Sequence, residues 1–236
     1  MSKNTGIVKD RRYLRHGADF AHPETPKRLV SIYEMLDNPD MAWKFTGIEA
    51  RHATREELAR VHRPSYIDFI AGTEGKAMTM LDPDTVATAE TYDTARLAAG
   101  GVMNAIDSVV SGETDNAFAL VRPPGHHAYH DLYGGYCYLN NAAIAAHWLA
   151  QRGLRPAILD IDYHHGNGTQ AIFYERDDVF FCSLHADPAD EYPYYSGYPD
   201  EMGAGQGEGA TLNIPLPQAT GEAGYLRALD WALAAV

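Results

Sequence analysis

Short apolar runs alternate with stretches of helical periodicity along most of the chain. Gly6-Ile7-Val8 predicts a first strand, and the prolines in His22-Pro23-Glu24-Thr25-Pro26 then forbid regular structure. Leu29, Ile32, Tyr33 and Leu36 share one face of a helix over 27–36, which Asn38-Pro39 terminates. Thr54-Arg55-Glu56-Glu57 resembles a capping box for a helix carrying Leu58 and Val61. Pro64 starts another helix, to Ala71. Residues 72–84 are polar and contain glycine, so they predict a surface loop, and a long alanine-rich helix over 92–110 follows, closed by Gly112. A strand over 116–121 is broken by Arg122-Pro123-Pro124-Gly125, and a helix is predicted over 140–151. The run Ala157-Ile158-Leu159 predicts a buried strand, 168–174 a helix and 179–184 a strand ending at His185. After a long Gly/Tyr/Asp loop over 186–209, the pattern gives a strand at 212–214 and an amphipathic helix over 222–235. Strands alternating with helices predict βαβ units and a mainly parallel sheet. No repeat or linker interrupts the pattern, so residues 1–236 read as a single α/β domain.

Composition narrows the function classes. With 45% hydrophobic and 22% charged residues the chain is ordinary for a globular protein, and no apolar run approaches the ~18 residues of a membrane span. The formal net charge is −13, and basic residues cluster only at Lys9, Arg11, Arg12 and Arg15, which argues against a nucleic-acid partner. Cys137 and Cys182 stand far apart without a Cys-x-x-Cys spacing, which points to a reducing, cytoplasmic setting.

Histidines arrive at three strand ends: His126-His127, His164-His165 and His185. At the second of these, Asp160-Ile161-Asp162-Tyr163-His164 places Asp160, Asp162 and His164 on one face if the strand continues, since residues two apart share a face. Ligands of open α/β sheets sit beyond the carboxyl ends of strands. An Asp-x-His pair there offers one oxygen and one nitrogen to zinc, which in catalytic sites keeps a position open for water. Asp162 and His164 are therefore candidate zinc ligands, and His126 and His127 candidate general base and acid. An imidazole needs an orienting partner on its second nitrogen, a role that suits Asp160 and Asn167. Whichever histidine pairs with Asp160 becomes the electrostatic element, and the one near Asn167 the base.

Three motifs carry a resemblance: Arg122-Pro-Pro-Gly-His-His-Ala128, Gly134-Gly-Tyr-Cys-Tyr-Leu-Asn-Asn141 and Asp160-Ile-Asp-Tyr-His-His-Gly-Asn-Gly-Thr-Gln170. Together with His22-Pro-Glu-x-Pro-x-Arg28, they resemble the zinc-dependent histone deacetylase superfamily, in its class II-like and acetylpolyamine amidohydrolase branches. The resemblance implies a three-layer α/β/α fold of the arginase/deacetylase type and hydrolysis of N-acetyl amides on a small amine or an acetyl-lysine peptide. It implies one Zn²⁺ on Asp162 and His164, with His126 paired to Asp160 and His127 to Asn167. It implies a structural K⁺ held by Asp160, Asp162, His164, Ser183 and Leu184, largely through main-chain carbonyls. Gly135 and Tyr136 match the wall of the substrate tunnel, Arg28 a residue beneath the active site, and Asp82 or Asp84 a rim acid. A homo-oligomer is compatible with it.

The family pattern also carries a third zinc ligand, a second Asp, and a transition-state tyrosine after Gly-Gly; both are expected beyond position 236. The chain reads on this basis as a C-terminally truncated member whose sheet lacks its final strands. Loss of one oxyanion donor costs ~10²–10³ in rate. The polyamine branch carries a long insertion before the helix at Tyr92, whereas residues 72–84 are short, so acetylpolyamine and acetyl-lysine both stand as substrates. Two other readings compete: an arginase-type binuclear manganese hydrolase, which needs more bridging carboxylates, and a catalytically incompetent fragment.

Overall fold

The computed structural model describes residues 4–17, 22–42 and 44–236, and in it the chain divides into two compact units. The first comprises Met1–Gly125 and Asp131–Ala145. Its sheet is parallel, in the order β2 (Phe45–Ile48), β1 (Thr5–Val8), β5 (Asn116–Ala119), with Thr5 beside both Phe45 and Asn116. Around it lie α1 (Lys27–Leu36), α2 (Pro39–Ala42), α3 (Arg55–Leu58), α4 (Pro64–Ala71) and α5 (Thr91–Val110). The apolar face expected of α1 is the one that packs: Leu29, Tyr33 and Leu36 are buried, and Ile32 partly so, with Val8, Tyr13, Leu97 and Leu120. Thr54 and Glu57 form the reciprocal capping box that their spacing predicts, although α3 ends at Leu58, short of Val61. Residues 72–84 are not wholly a loop. They contain β3 (Met78–Met80), which forms an antiparallel hairpin with β4 (Val86–Thr88). Alternating Met78-Thr79-Met80 is too short a run to register against its polar surroundings. Strand β2 escapes for the same reason, with Gly47 inside it.

The second unit comprises His126–His130 and Ala146–Val236. Its parallel sheet runs in the order β6 (Ala157–Asp160), β7 (Phe180–Ala186), β8 (Thr211–Leu216), with Asp160 beside Ser183 and Ser183 beside Asn213. Helix α6 (Asn141–Ala150) ends in this unit, α7 (Asn167–Phe173) follows β6, and α8 (Glu222–Ala235) packs Leu229 and Ala232 onto Cys182, Leu184 and Ile214. Strand β6 is half-buried rather than buried, and Ala157 is exposed. Cys137 and Cys182 are both buried.

One buried charge pair stands out in the first unit. Arg122 donates from Nε and Nη2 to the two carboxylate oxygens of Glu24, at 2.5 Å each, and its side chain is 4% exposed. Its remaining donors reach the carbonyls of Tyr13, His16 and Glu24. A fork with every N–H occupied fastens the His22–Pro26 loop to the segment that leads into His126. Removing one partner of a buried pair strands the other charge and typically costs ~3–5 kcal/mol. Glu24→Ala is expected to lower unfolding free energy by about that amount in urea titration; a loss below about 1 kcal/mol contradicts this role.

Candidate active site

The strand carrying the Asp/His motif stops at Asp160, so the shared strand face expected for Asp160, Asp162 and His164 does not form. Side-chain oxygens take over from the sheet ladder. Asp160 Oδ1 accepts from the Asp162 amide at 3.0 Å, and Asp162 Oδ1 accepts from the His164 amide at 2.9 Å. Two successive Asx turns of this kind compete with extended structure and curl the chain. The outcome still gathers the groups: Asp162 Oδ1 lies 3.7 Å from His164 Nδ1 and 3.9 Å from His126 Nε2.

Helix α7 fixes the tandem histidines. Its Thr169 amide donates to the His126 carbonyl at 3.0 Å. Gly168 is required there, because a Cβ would meet the main chain of His127 at 2.5 Å. With the backbones in place, each imidazole finds a different partner. His126 Nδ1 lies 2.9 Å from Asp160 Oδ2, and His127 Nδ1 lies 2.6 Å from Asn167 Oδ1. The two rings are 3.9 Å apart, centre to centre.

The partners separate the two titrations. Burial opposes a charged His126, but the hydrogen bond and charge of Asp160, helped by Asp162, outweigh it and raise its pKa above the ordinary 6.5. Burial and then the neighbouring His126 charge push His127 down to about 3, and the neutral amide of Asn167 restores only part of this. Asp160 and Asp162 are both held below the usual carboxylate range. Burial disfavours each anion, yet the bonds from His126 and His164 prevail. Two adjacent imidazoles are thus pushed apart in pKa, His126 upward and His127 downward.

The donors for a metal are Asp162 and His164, half-exposed and adjacent, one an anionic oxygen and the other an imidazole nitrogen. They fit two positions of a zinc site. Among the described residues no set of three or more His, Cys, Asp or Glu converges in metal-binding fashion. Ser183 and Leu184 sit on β7, with Ser183 in register beside Asp160. His165 and His185 belong to the core instead: His165 bonds Gln170, and His185 bonds Ser183 and the Gly197 carbonyl.

In the first unit, Tyr136 follows Gly135 on left-handed backbone (φ 68° and 49°), and its ring stands edge-on to His22 at 4.5 Å. Left-handed backbone at a tyrosine is uncommon and marks a side chain placed against local preference. Arg28 is exposed in the first turn of α1, and the buried guanidinium of this region is that of Arg122. Of the two rim candidates, Asp82 spends Oδ1 on the amides of Asp84 and Thr85, while Asp84 is exposed.

Sequence reasoning missed the tyrosines. Tyr192 stands edge-on to His127 at 4.9 Å and to His164 at 6.0 Å, and Tyr129 and Tyr195 reach Asn167. The only signal was the tyrosine richness of the long loop, which gives no register.

A parallel α/β scaffold presents tandem imidazoles beside Asp/His donors, and comparison with known proteins specifies the class of protein. The histone deacetylase domain model matches residues 22–236, and the chain belongs to that family. A probable deacetylase of Archaeoglobus fulgidus is 44% identical over 96% of this chain and 63% of its own length. Acetylpolyamine amidohydrolase 1 of Pseudomonas aeruginosa is 42% identical over 88% of this chain and 69% of its own. Among solved structures, the HDA15 HD domain superposes with a TM-score of 0.85 at 36% identity, covering 94% of this chain and 63% of that one. An acetylpolyamine aminohydrolase from Burkholderia pseudomallei gives 0.86 at 30% identity, covering 98% and 78%. These likenesses show the expected three-layer α/β/α class. The chain thus spans about 63% of the length of its archaeal relative.

Buried neutral histidines give the protein an acid limit. Burial, followed by Arg122, holds His16 at about 3; burial, followed by His185, holds His165 at about 3; and His127 behaves likewise. In the unfolded chain these groups titrate near 6.5. Between pH ~6.5 and ~3 the unfolded state therefore binds more protons, and stability falls as pH falls, by roughly 1.4 kcal/mol per pH unit for each group. His126, with its raised pKa, acts above this window: its contribution is complete below pH ~6.5 and is lost as pH rises through its folded pKa. Urea midpoints are expected to drop markedly from pH 7 to pH 5; a pH-independent midpoint contradicts the buried neutral state.

Proposed function

We propose that this protein hydrolyses N-acetyl amides, releasing acetate and a free amine, with zinc on Asp162 and His164. The observation that carries the reading is the unlike pairing of adjacent imidazoles, His126 to Asp160 and His127 to Asn167. Zinc, when bound there, supplies a Lewis acid that makes water more acidic and polarises the acetyl carbonyl. His127 donates a hydrogen bond from Nδ1–H to Asn167 Oδ1, which leaves Nε2 free to accept the proton of the attacking water. His126, kept protonated by Asp160, stabilises developing negative charge and donates from Nε2 to the departing amine. Tyr192, edge-on to His127 and His164, shields the reacting end from bulk water.

Asp160, Asp162, His164, Ser183 and Leu184 would hold a potassium ion, a reading supported by the register of Asp160 beside Ser183. The names of the relatives support both an acetylpolyamine and an acetyl-lysine substrate. A cytoplasmic location fits the free thiols. Membership of the deacetylase family favours this mononuclear reading over a binuclear manganese site.

Zinc analysis and turnover of an acetyl-lysine reporter together test the roles. His164→Ala is expected to lose stoichiometric zinc. His127→Ala is expected to keep whatever zinc the parent binds and to lose ~10²–10⁴ in kcat. Stoichiometric zinc in His164→Ala overturns the ligand assignment, and undiminished turnover by His127→Ala overturns the base.

A further inference from the structure

We propose that Tyr163, tethered through its hydroxyl to Glu191, is a positioning residue that holds the His164 imidazole ready for a metal. This rests on the reading of His164 as a zinc ligand. A metal-binding histidine ordinarily donates its second ring N–H to a carboxylate or carbonyl, which fixes the orientation of the ring. His164 has only a long contact of that kind: its Nδ1 stands 3.7 Å from Asp162 Oδ1, beyond hydrogen-bond reach. The amide of His164 already occupies that oxygen, at 2.9 Å. Its side chain is 39% exposed, and a ring so placed hops between rotamers unless another group holds it.

Tyr163 supplies that hold. Successive residues of a strand send their side chains to opposite faces. The two Asx turns at Asp160 and Asp162 curl the chain instead and let these neighbours meet. The Tyr163 ring stands perpendicular to the His164 ring, at 87° with centres 5.1 Å apart. Edge-to-face contact at this separation is a favoured geometry of aromatic pairs and shifts an equilibrium by roughly two- to tenfold. Tyr192 meets His164 in the same manner, at 83° and 6.0 Å.

Tyr163 is itself 59% exposed, so bonds rather than burial set its position. Its carbonyl accepts from the Ala186 amide at 2.8 Å, at the end of β7. Its hydroxyl donates to Glu191 Oε1 at 2.9 Å, and an ionised carboxylate only accepts. Glu191 is anchored in turn. Its amide donates to the Asp187 carbonyl at 3.0 Å, and the Asp187 amide donates to the Leu216 carbonyl at 3.0 Å, at the end of β8. Hydrogen bonds rooted at the ends of β7 and β8 thus fix both the main chain and the ring tip of Tyr163. Glu191 also precedes Tyr192, so one dipeptide governs both tyrosine rings that meet His164.

The hold is read in the metal-free protein from three-bond NMR couplings across the Cα–Cβ bond of His164, assigned by its absence in His164→Gln. The parent is expected to show a single rotamer. Tyr163→Ala and Glu191→Ala are each expected to show averaging over several. Glu191→Gln keeps an acceptor for the hydroxyl and is expected to match the parent. In a Tyr163→Phe background Glu191→Ala is expected to change nothing further, because Glu191 acts through that hydroxyl. An exposed ring contributes little to folding, so Tyr163→Ala is expected to keep the parent urea midpoint. Its zinc affinity, measured by competition with a chromophoric chelator, is expected to weaken roughly two- to tenfold. Unchanged couplings in Tyr163→Ala and Glu191→Ala overturn the proposal, as does undiminished zinc affinity in Tyr163→Ala. Absence of zinc binding by the parent counts against the functional reading alone, since the couplings judge the ring independently.

Discussion

An imidazole can do at one nitrogen only what the partner at its other nitrogen permits. The two rings of His126 and His127 stand 3.9 Å apart, and like rings so close cannot both ionise readily. Asp160 and Asn167 resolve that conflict by differing in a single functional group. The carboxylate draws the proton onto His126, and the amide, offering no charge, leaves His127 neutral. Exchange either partner for the other and the two rings lose the difference in their surroundings that separates their pKa values.

Much of the second unit serves to hold those four side chains. Strand β6 delivers Asp160 and then yields to two Asx turns that set Asp162 and His164 beside it. Helix α7 supplies Asn167 from its first residue and clasps the His126 carbonyl two residues later. Gly168 allows that approach, and Gly197 lets the tyrosine loop close against the buried His165 and His185. In the first unit the Arg122–Glu24 pair performs a comparable service for the segment preceding the histidines.

Long periodic elements were legible in the sequence because their pattern accumulates over many residues. Helices α1 and α4 begin and end where prolines and apolar spacing place them. Strands β2 and β3 were not, since three or four residues with a glycine or polar neighbour carry too little pattern. The site was legible as a set of residues: His126, His127, Asp160 and Asn167 do meet in the expected pairs. The route to Asp162 and His164 was misread, because period-two reasoning extends a strand that side-chain hydrogen bonding ends. Arg122 and the tyrosines at 129, 192 and 195 act through contacts distant in sequence, for which a single chain carries no local signal.

The division of charge between the two tandem histidines is the central claim, and an NMR titration of their ring nitrogens in the zinc-free protein tests it most directly. His126 is expected to hold its proton above the ordinary 6.5, and His127 to remain neutral to well below pH 5. Two histidines titrating together near pH 6.5 would contradict the account.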